Sequence, residues 1–173
     1  QISFYCVFGG IPYYYLLLER LRDRSFEGAI NSLFYDVGAQ LSDEGENVLR
    51  QEFGNAYAKH YAILESMGSG SVSMNEISQK LGVRSTTLTK YMHALQHDFK
   101  LIGREVPFGE NLARSKRGIY CIKDNLLAFW FSKVYGKRSA PGREGLNSFV
   151  GSRFEAFSRD FLLGYLEKRG EKI

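Results

Sequence analysis

Apolar positions recur with a helical period along most of this chain, and the exceptions mark its joints. From Gly9 to Gly54 the pattern is helical. GGIPYYYLLLERL follows a Gly-Gly turn, and Pro12 suits a first helical turn, where its missing N–H costs nothing. Ser25 to Gln40 sets Phe26, Ile30, Leu33, Phe34 and Val37 on one stripe. Ser42 to Phe53 predicts a short helix with acids in its first turn, where the helix dipole favours them. Asn55 to Met67 carries Tyr57, Tyr61, Leu64 and Met67 at helical intervals before GSGS interrupts it.

Ser73 and Glu76 then form a capping box, Ser-x-x-Glu, ahead of a helix that turns Ile77 and Leu81 inward and stops at Gly82. The next helix starts near Arg84 or Ser85 and buries Leu88, Tyr91, Met92, Leu95 and Phe99. Its outer face is left with Thr86, Thr87, Thr89, Lys90, His93 and His97. Helix, Gly-containing turn and second helix with a polar, basic outer face make a helix-turn-helix. After Leu101 the period changes to two: LIGREVPF and RGIYCIKD alternate about the polar loop GENLARSK, which predicts a β-hairpin with a long tip. A hairpin in this place is a wing, with Arg114, Lys116 and Arg117 where a phosphate backbone would lie. Asp124 to Tyr135 predicts an aromatic helix with Leu127, Trp130, Phe131 and Val134 as its core stripe. GKRSAPGREG reads as a linker, and Phe149 to Arg169 as a last amphipathic helix with Phe154, Phe157, Phe161 and Leu162 on one side.

Charge sharpens this picture. The net +4 is unevenly spread: residues 1–83 carry six basic and ten acidic side chains, residues 84–123 eight and three, and residues 124–173 nine and six. The basic excess thus begins with the second helix of the helix-turn-helix, as a nucleic-acid face requires. Ser85, Thr86, Thr89 and Lys90 on that helix, with Arg84 at its start and Arg104 on the hairpin, are the expected DNA contacts beside the wing residues. No Arg, Asn or Gln sits mid-helix for a bidentate base contact, so binding would run mainly through the backbone and weaken with salt.

Other chemistry is sparse. The longest apolar run, Tyr13 to Leu18, is far short of the roughly 20 residues of a membrane span, so no membrane partner is expected. Cys6 and Cys121 lie far apart without a CxxC or Cys/His spacing, which reads as reduced thiols of a cytoplasmic protein. His93 and His97 are four apart, but a metal would need a third ligand, and two exposed histidines are the simpler reading. No nucleophile elbow or triad spacing occurs, and GxxxxGK[ST] is absent, so nothing here hydrolyses ATP. The ends at Gln1 and Ile173 carry no initiator Met and no turn or capping logic, the expectation for a piece of a larger protein.

The ordered set GGIPYYY, EGENVLRQEF, GREVPFGE, SKRGIYCIKDN, LLAFWF and FVGSRFEAF resembles the C-terminal half of archaeal-type P-loop ATPases, an AAA+/STAND-related family. The resemblance implies a mainly α chain with a small β-hairpin: a helical lid over 1–54, a winged helix-turn-helix over 55–124, a connecting helix and linker over 125–147, and over 148–173 the first helix of an incomplete, restriction-endonuclease-like tail. It implies Gly10 and Pro12 near nucleotide and Glu155 as an acid of the nuclease-like unit. A lone Glu155 cannot hold Mg²⁺, and a plain solvated Glu is the bland alternative. This segment holds no cofactor; ATP and Mg²⁺ belong to the whole protein, whose P-loop core would be the first partner and DNA the second. The expected function is DNA binding of low sequence selectivity, coupled to nucleotide state through the lid. The alternative is a protein–protein interaction module of a signalling or defence ATPase.

Overall fold

A computed structural model describes residues 1–54, 57–70, 72–107, 109–111, 114–115 and 117–170. The chain is mainly helical with one small antiparallel sheet. Its helices are α1 (Ile2–Phe8), α2 (Pro12–Glu19), α3 (Phe26–Ile30), α4 (Glu44–Phe53), α5 (Tyr57–Ser66), α6 (Met74–Leu81), α7 (Ser85–His93), α8 (Asn125–Phe129) and α9 (Arg143–Lys168). Three of them run on into a wide final turn. Asn31–Tyr35 extends α3, Ala94–Asp98 extends α7, and Trp130–Val134 extends α8. Each wide turn closes with an N–H reaching five residues back, Asp36 to Asn31, Phe99 to Ala94 and Tyr135 to Trp130, at 2.9, 3.0 and 2.7 Å.

The sheet has the order β1-β3-β2, from β1 (Val72–Ser73), β2 (Ile102–Glu105) and β3 (Ile119–Ile122). The hairpin pairs Ile102 with Ile122 and Glu105 with Ile119, and β1 adds Val72 opposite Tyr120. The expected two-stranded hairpin therefore gains a third, two-residue strand laid down just before α6.

Aromatic contacts join the parts. Phe8 stacks on Phe34 (5.9 Å between centroids), Phe34 meets Phe129 (5.1 Å), and Phe129 meets Phe149 edge-on (5.1 Å), linking α1, the end of α3, α8 and α9. A second group, Phe53, His60, Tyr91 and Phe99, joins α4 and α5 to α7, with Phe53 stacked on His60 at 4.5 Å. Polar tips fix these rings: the Trp130 indole N–H donates to the Ser42 carbonyl at 2.7 Å, and the Tyr35 hydroxyl to the Lys133 carbonyl at 2.6 Å. Burial pushes the Tyr35 hydroxyl up to about 12. One continuous apolar core results, running from Val7 to Phe149.

Four expectations need amendment. Ile2–Phe8 is helical although its pattern gave no signal, and it is held by its buried side, Cys6, Val7 and Phe8. Val37 is fully exposed, because α3 ends at Tyr35 and the stripe ends with it. α9 begins at Arg143, inside the stretch expected to be a linker. It is also apolar on more than one side: Leu146 and Phe149 are buried, while Phe154, Phe157, Phe161 and Leu162 stand exposed. No helix among the described residues is long and apolar enough to cross a membrane.

Candidate nucleic-acid interface

The helix pair Met74–His93 is built by local chemistry. Ser73 accepts the Glu76 N–H at 3.3 Å, and the Glu76 carboxylate accepts the Ser73 N–H at 2.6 Å, closing the capping box in both directions. The backbone N–H of Ser73 holds the Glu76 carboxyl below the usual carboxylate range. α6 ends where Gly82 turns left-handed (φ 64°, ψ 27°), a conformation that suits glycine. Its N–H returns to Gln79, and the next, from Val83, to Ser78. Three residues on, α7 has begun, with Arg84 as an extended N-cap whose side chain makes no capping bond.

On α7 the inward set is as the spacing predicts: Leu88, Met92 and Leu95 are buried, and Tyr91 and Phe99 half-buried. Arg84, Thr86, Thr89 and Lys90 are exposed and Ser85 half-buried, so these expected contacts share one surface. The Thr89 hydroxyl donates to the Ser85 carbonyl at 3.2 Å. Two ammonium groups bracket the Tyr91 ring, Lys90 at 5.0 Å and Lys59 of α5 at 5.3 Å. Lys59 acts first, by hydrogen bonding to the hydroxyl, and the pair pulls that hydroxyl below its ordinary pKa. Lys59 thereby extends the basic face beyond α7, from an exposed position that no local pattern singles out.

The hairpin cations divide. Arg114 is exposed at the tip. Arg117, also exposed, is ion-paired with Glu110, whose carboxylate also accepts from the Ser115 hydroxyl. Arg104 is half-buried: its guanidinium donates to the Ser115 carbonyl at 2.6 Å and lies over the Tyr120 ring at 5.8 Å. Gly118, just before β3, leaves the room the guanidinium occupies. Arg104 therefore fastens the base of the tip loop. Lys116 lies outside the described residues.

The remaining expected positions are elsewhere. Gly10 and Pro12 are both exposed at the start of α2, where Gly9 takes φ 62° and its carbonyl accepts the Tyr15 hydroxyl at 2.8 Å. Ile11, Tyr13 and Leu16 are exposed beside them, an apolar strip on the same helix. Glu155 is exposed on α9. His93 and His97 lie with ring centroids 4.5 Å apart, and among the described residues no group of three His, Cys, Asp or Glu side chains is placed to hold a metal. Cys6 and Cys121 are free thiols, and burial raises both pKa values.

One relative stands out in sequence. "Uncharacterized protein MJECL04" of Methanocaldococcus jannaschii is 30% identical over an alignment of 172 residues that covers 94% of this chain. The chain spans 37% of that relative's length. No family model matches the chain, and no solved structure does.

Proposed function

We propose that this chain is the nucleic-acid-contacting part of a larger P-loop ATPase, in which 55–124 is a winged helix that binds duplex DNA through its backbone. The observation that carries this is the face of α7: Arg84, Thr86, Thr89 and Lys90 exposed together, with Lys59 beside them and Arg114 on the hairpin. Cations and small hydroxyls suit phosphates, and no Arg, Asn or Gln lies within Ser85–His93 to make a bidentate contact with a base edge, so affinity would be salt-sensitive and selectivity low. The segment 1–54 would serve as the lid, its exposed Gly10, Ile11 and Pro12 meeting a nucleotide-binding core contributed by the rest of the protein. A relative matched over only 37% of its length has room for such a core. Nucleotide state would then move lid and winged helix together against DNA.

A second reading is favoured by a separate observation: Arg104 and Arg117 are engaged within the hairpin, and apolar side chains are exposed on α2 and α9. On that reading the chain docks protein in a signalling or defence ATPase. Fluorescence anisotropy against a labelled duplex across a salt series separates the two. Lys90→Ala with Arg114→Ala should weaken binding and flatten the dependence of log K on log salt by about 1.8, for two phosphate contacts at about 0.9 each. Absence of binding by the wild type at low salt would sink the DNA reading. Equal binding by the full-length protein with ATP, ADP or no nucleotide would sink the coupling.

A further inference from the structure

A second basic surface lies around the end of α7, and apart from Arg104 the helix-turn-helix reading does not use it. The groove runs between the end of the extended α7, the edge strand β2 and α9, lined by Lys100, Lys123, Arg104 and Arg159 with Glu105 and Asp160. We propose that this groove holds the phosphate backbone of the same duplex, as a track continuing past the C-terminal end of α7; it rests on the α7 face binding DNA.

Three observations carry it. First, Lys100 is left-handed (φ 57°), and it is the one non-glycine residue with positive φ among those described. A lysine there costs what Gly or Asn would avoid, and strain of this kind persists where something else is gained. A cation at the end of a helix can serve the dipole, but His97 already stands in that last turn. Second, Gly103 is buried on β2 and the Lys123 side chain lies flat across it, with Cε 3.0 Å and Cγ 3.3 Å from where a β-carbon would be. A side chain at 103 would displace that stem, so glycine leaves the bed in which Lys123 reaches the groove. Third, the acids in the groove are not matched to these two lysines. Glu105 is engaged by Arg159 at 2.5 Å, and among the described residues no carboxylate is ion-paired with Lys100 or Lys123. β2 is paired on one side only, so an extended peptide could add to it. The lysines favour a polyanion over that occupant.

The test is anisotropy of the whole chain against a labelled duplex in a salt series, with Lys100→Gly and Lys123→Ala combined. The expected result is weaker binding and a slope lowered by about 1.8. Lys100→Gly alone should weaken binding while the melting temperature holds or rises, since strain is relieved; a purely structural lysine would lower the melting temperature and leave binding unchanged. Lys137→Ala with Arg138→Ala, two exposed cations of the 136–142 loop, is the control for diffuse charge and should leave the slope nearly unchanged. Wild-type binding with an unaltered slope in the double variant overturns the groove and leaves the α7 face standing, as does an equal loss in the control. Weaker binding without a change of slope overturns it too, since phosphates would not be the contact. No binding by the wild type overturns both.

Discussion

Gly45 sits buried in α4 with the six-membered side of the Trp130 indole against its Cα, so a β-carbon there would overlap the ring. Two effects of Gly45→Ala oppose each other. Alanine in a helix interior is worth about 1 kcal/mol over glycine. Overpacking a filled core costs about 1–3 kcal/mol, occasionally more. The indole cannot retreat easily, because its N–H holds the Ser42 carbonyl and its other faces meet Phe131 and Tyr135. The clash should win, with a net loss of up to about 2 kcal/mol in urea denaturation. Gly151→Ala in α9, where no atom lies within 4 Å of the new carbon, should instead gain about 0.5–1 kcal/mol from propensity alone. If both variants are stabilised, the Gly45–Trp130 contact is looser than described. Sequence does name Gly45, within EGENVLRQEF, but the ring that requires a glycine there is 85 positions away, a relation that no local pattern carries.

Between elements, Arg153 is the chief polar fastener. From one turn of α9 its guanidinium donates to the Ile122 carbonyl at 2.8 Å, the Lys123 carbonyl at 2.6 Å and the Asn125 side-chain oxygen. These acceptors lie at the end of β3 and the start of α8, so a single side chain pins the last helix to the sheet. Desolvation lowers the pKa of this half-buried group, against the pull of Cys121 and Asp124. Hydrogen bonds to a charged group are worth about 1.5–3 kcal/mol each, and shared ones less than their sum, so Arg153→Ala should cost about 2–4 kcal/mol. Arg153→Lys should recover little, since one ammonium cannot span three acceptors set for a planar fork. Hydrogen exchange would show it as faster exchange of α9 amides, with α6 and α7 still protected; unchanged α9 protection would mean that apolar contacts such as those of Leu146 and Phe149 hold the helix without Arg153. The same scale shows what sequence could and could not reveal. The helix pair was legible because Ser73, Glu76 and Gly82 act on neighbours within a few residues. β1 was not, because two residues become a strand only when β3 offers them a partner. Lys59 and Lys90 are likewise tertiary neighbours through Tyr91, and Lys100 and Lys123 meet only in lining one groove.

At the scale of the molecule, the segments that a sequence divides at 54, 124 and 147 share one core. Phe34 belongs to the first, Phe129 to the third and Phe149 to the last, and the three rings touch in series. Phe53 of the first also packs on His60 and Phe99 of the second. Elements that bury one another's rings cannot melt alone without exposing the rings left behind, so unfolding should be cooperative. Trp130, the sole tryptophan, sits where α4, α5 and α8 meet, and its fluorescence reports that junction. Its urea transition should coincide with the loss of helical circular dichroism, which sums over every helix. Phe129→Ala, which empties a fully buried site between two rings, should shift both curves together by about 3–5 kcal/mol. Two separated steps would instead make 1–53 and the helix-turn-helix independent bodies. The difference bears on the proposed coupling: in a single body, a displacement of α2 by the proposed nucleotide-binding core would be carried to α7 as a rigid movement.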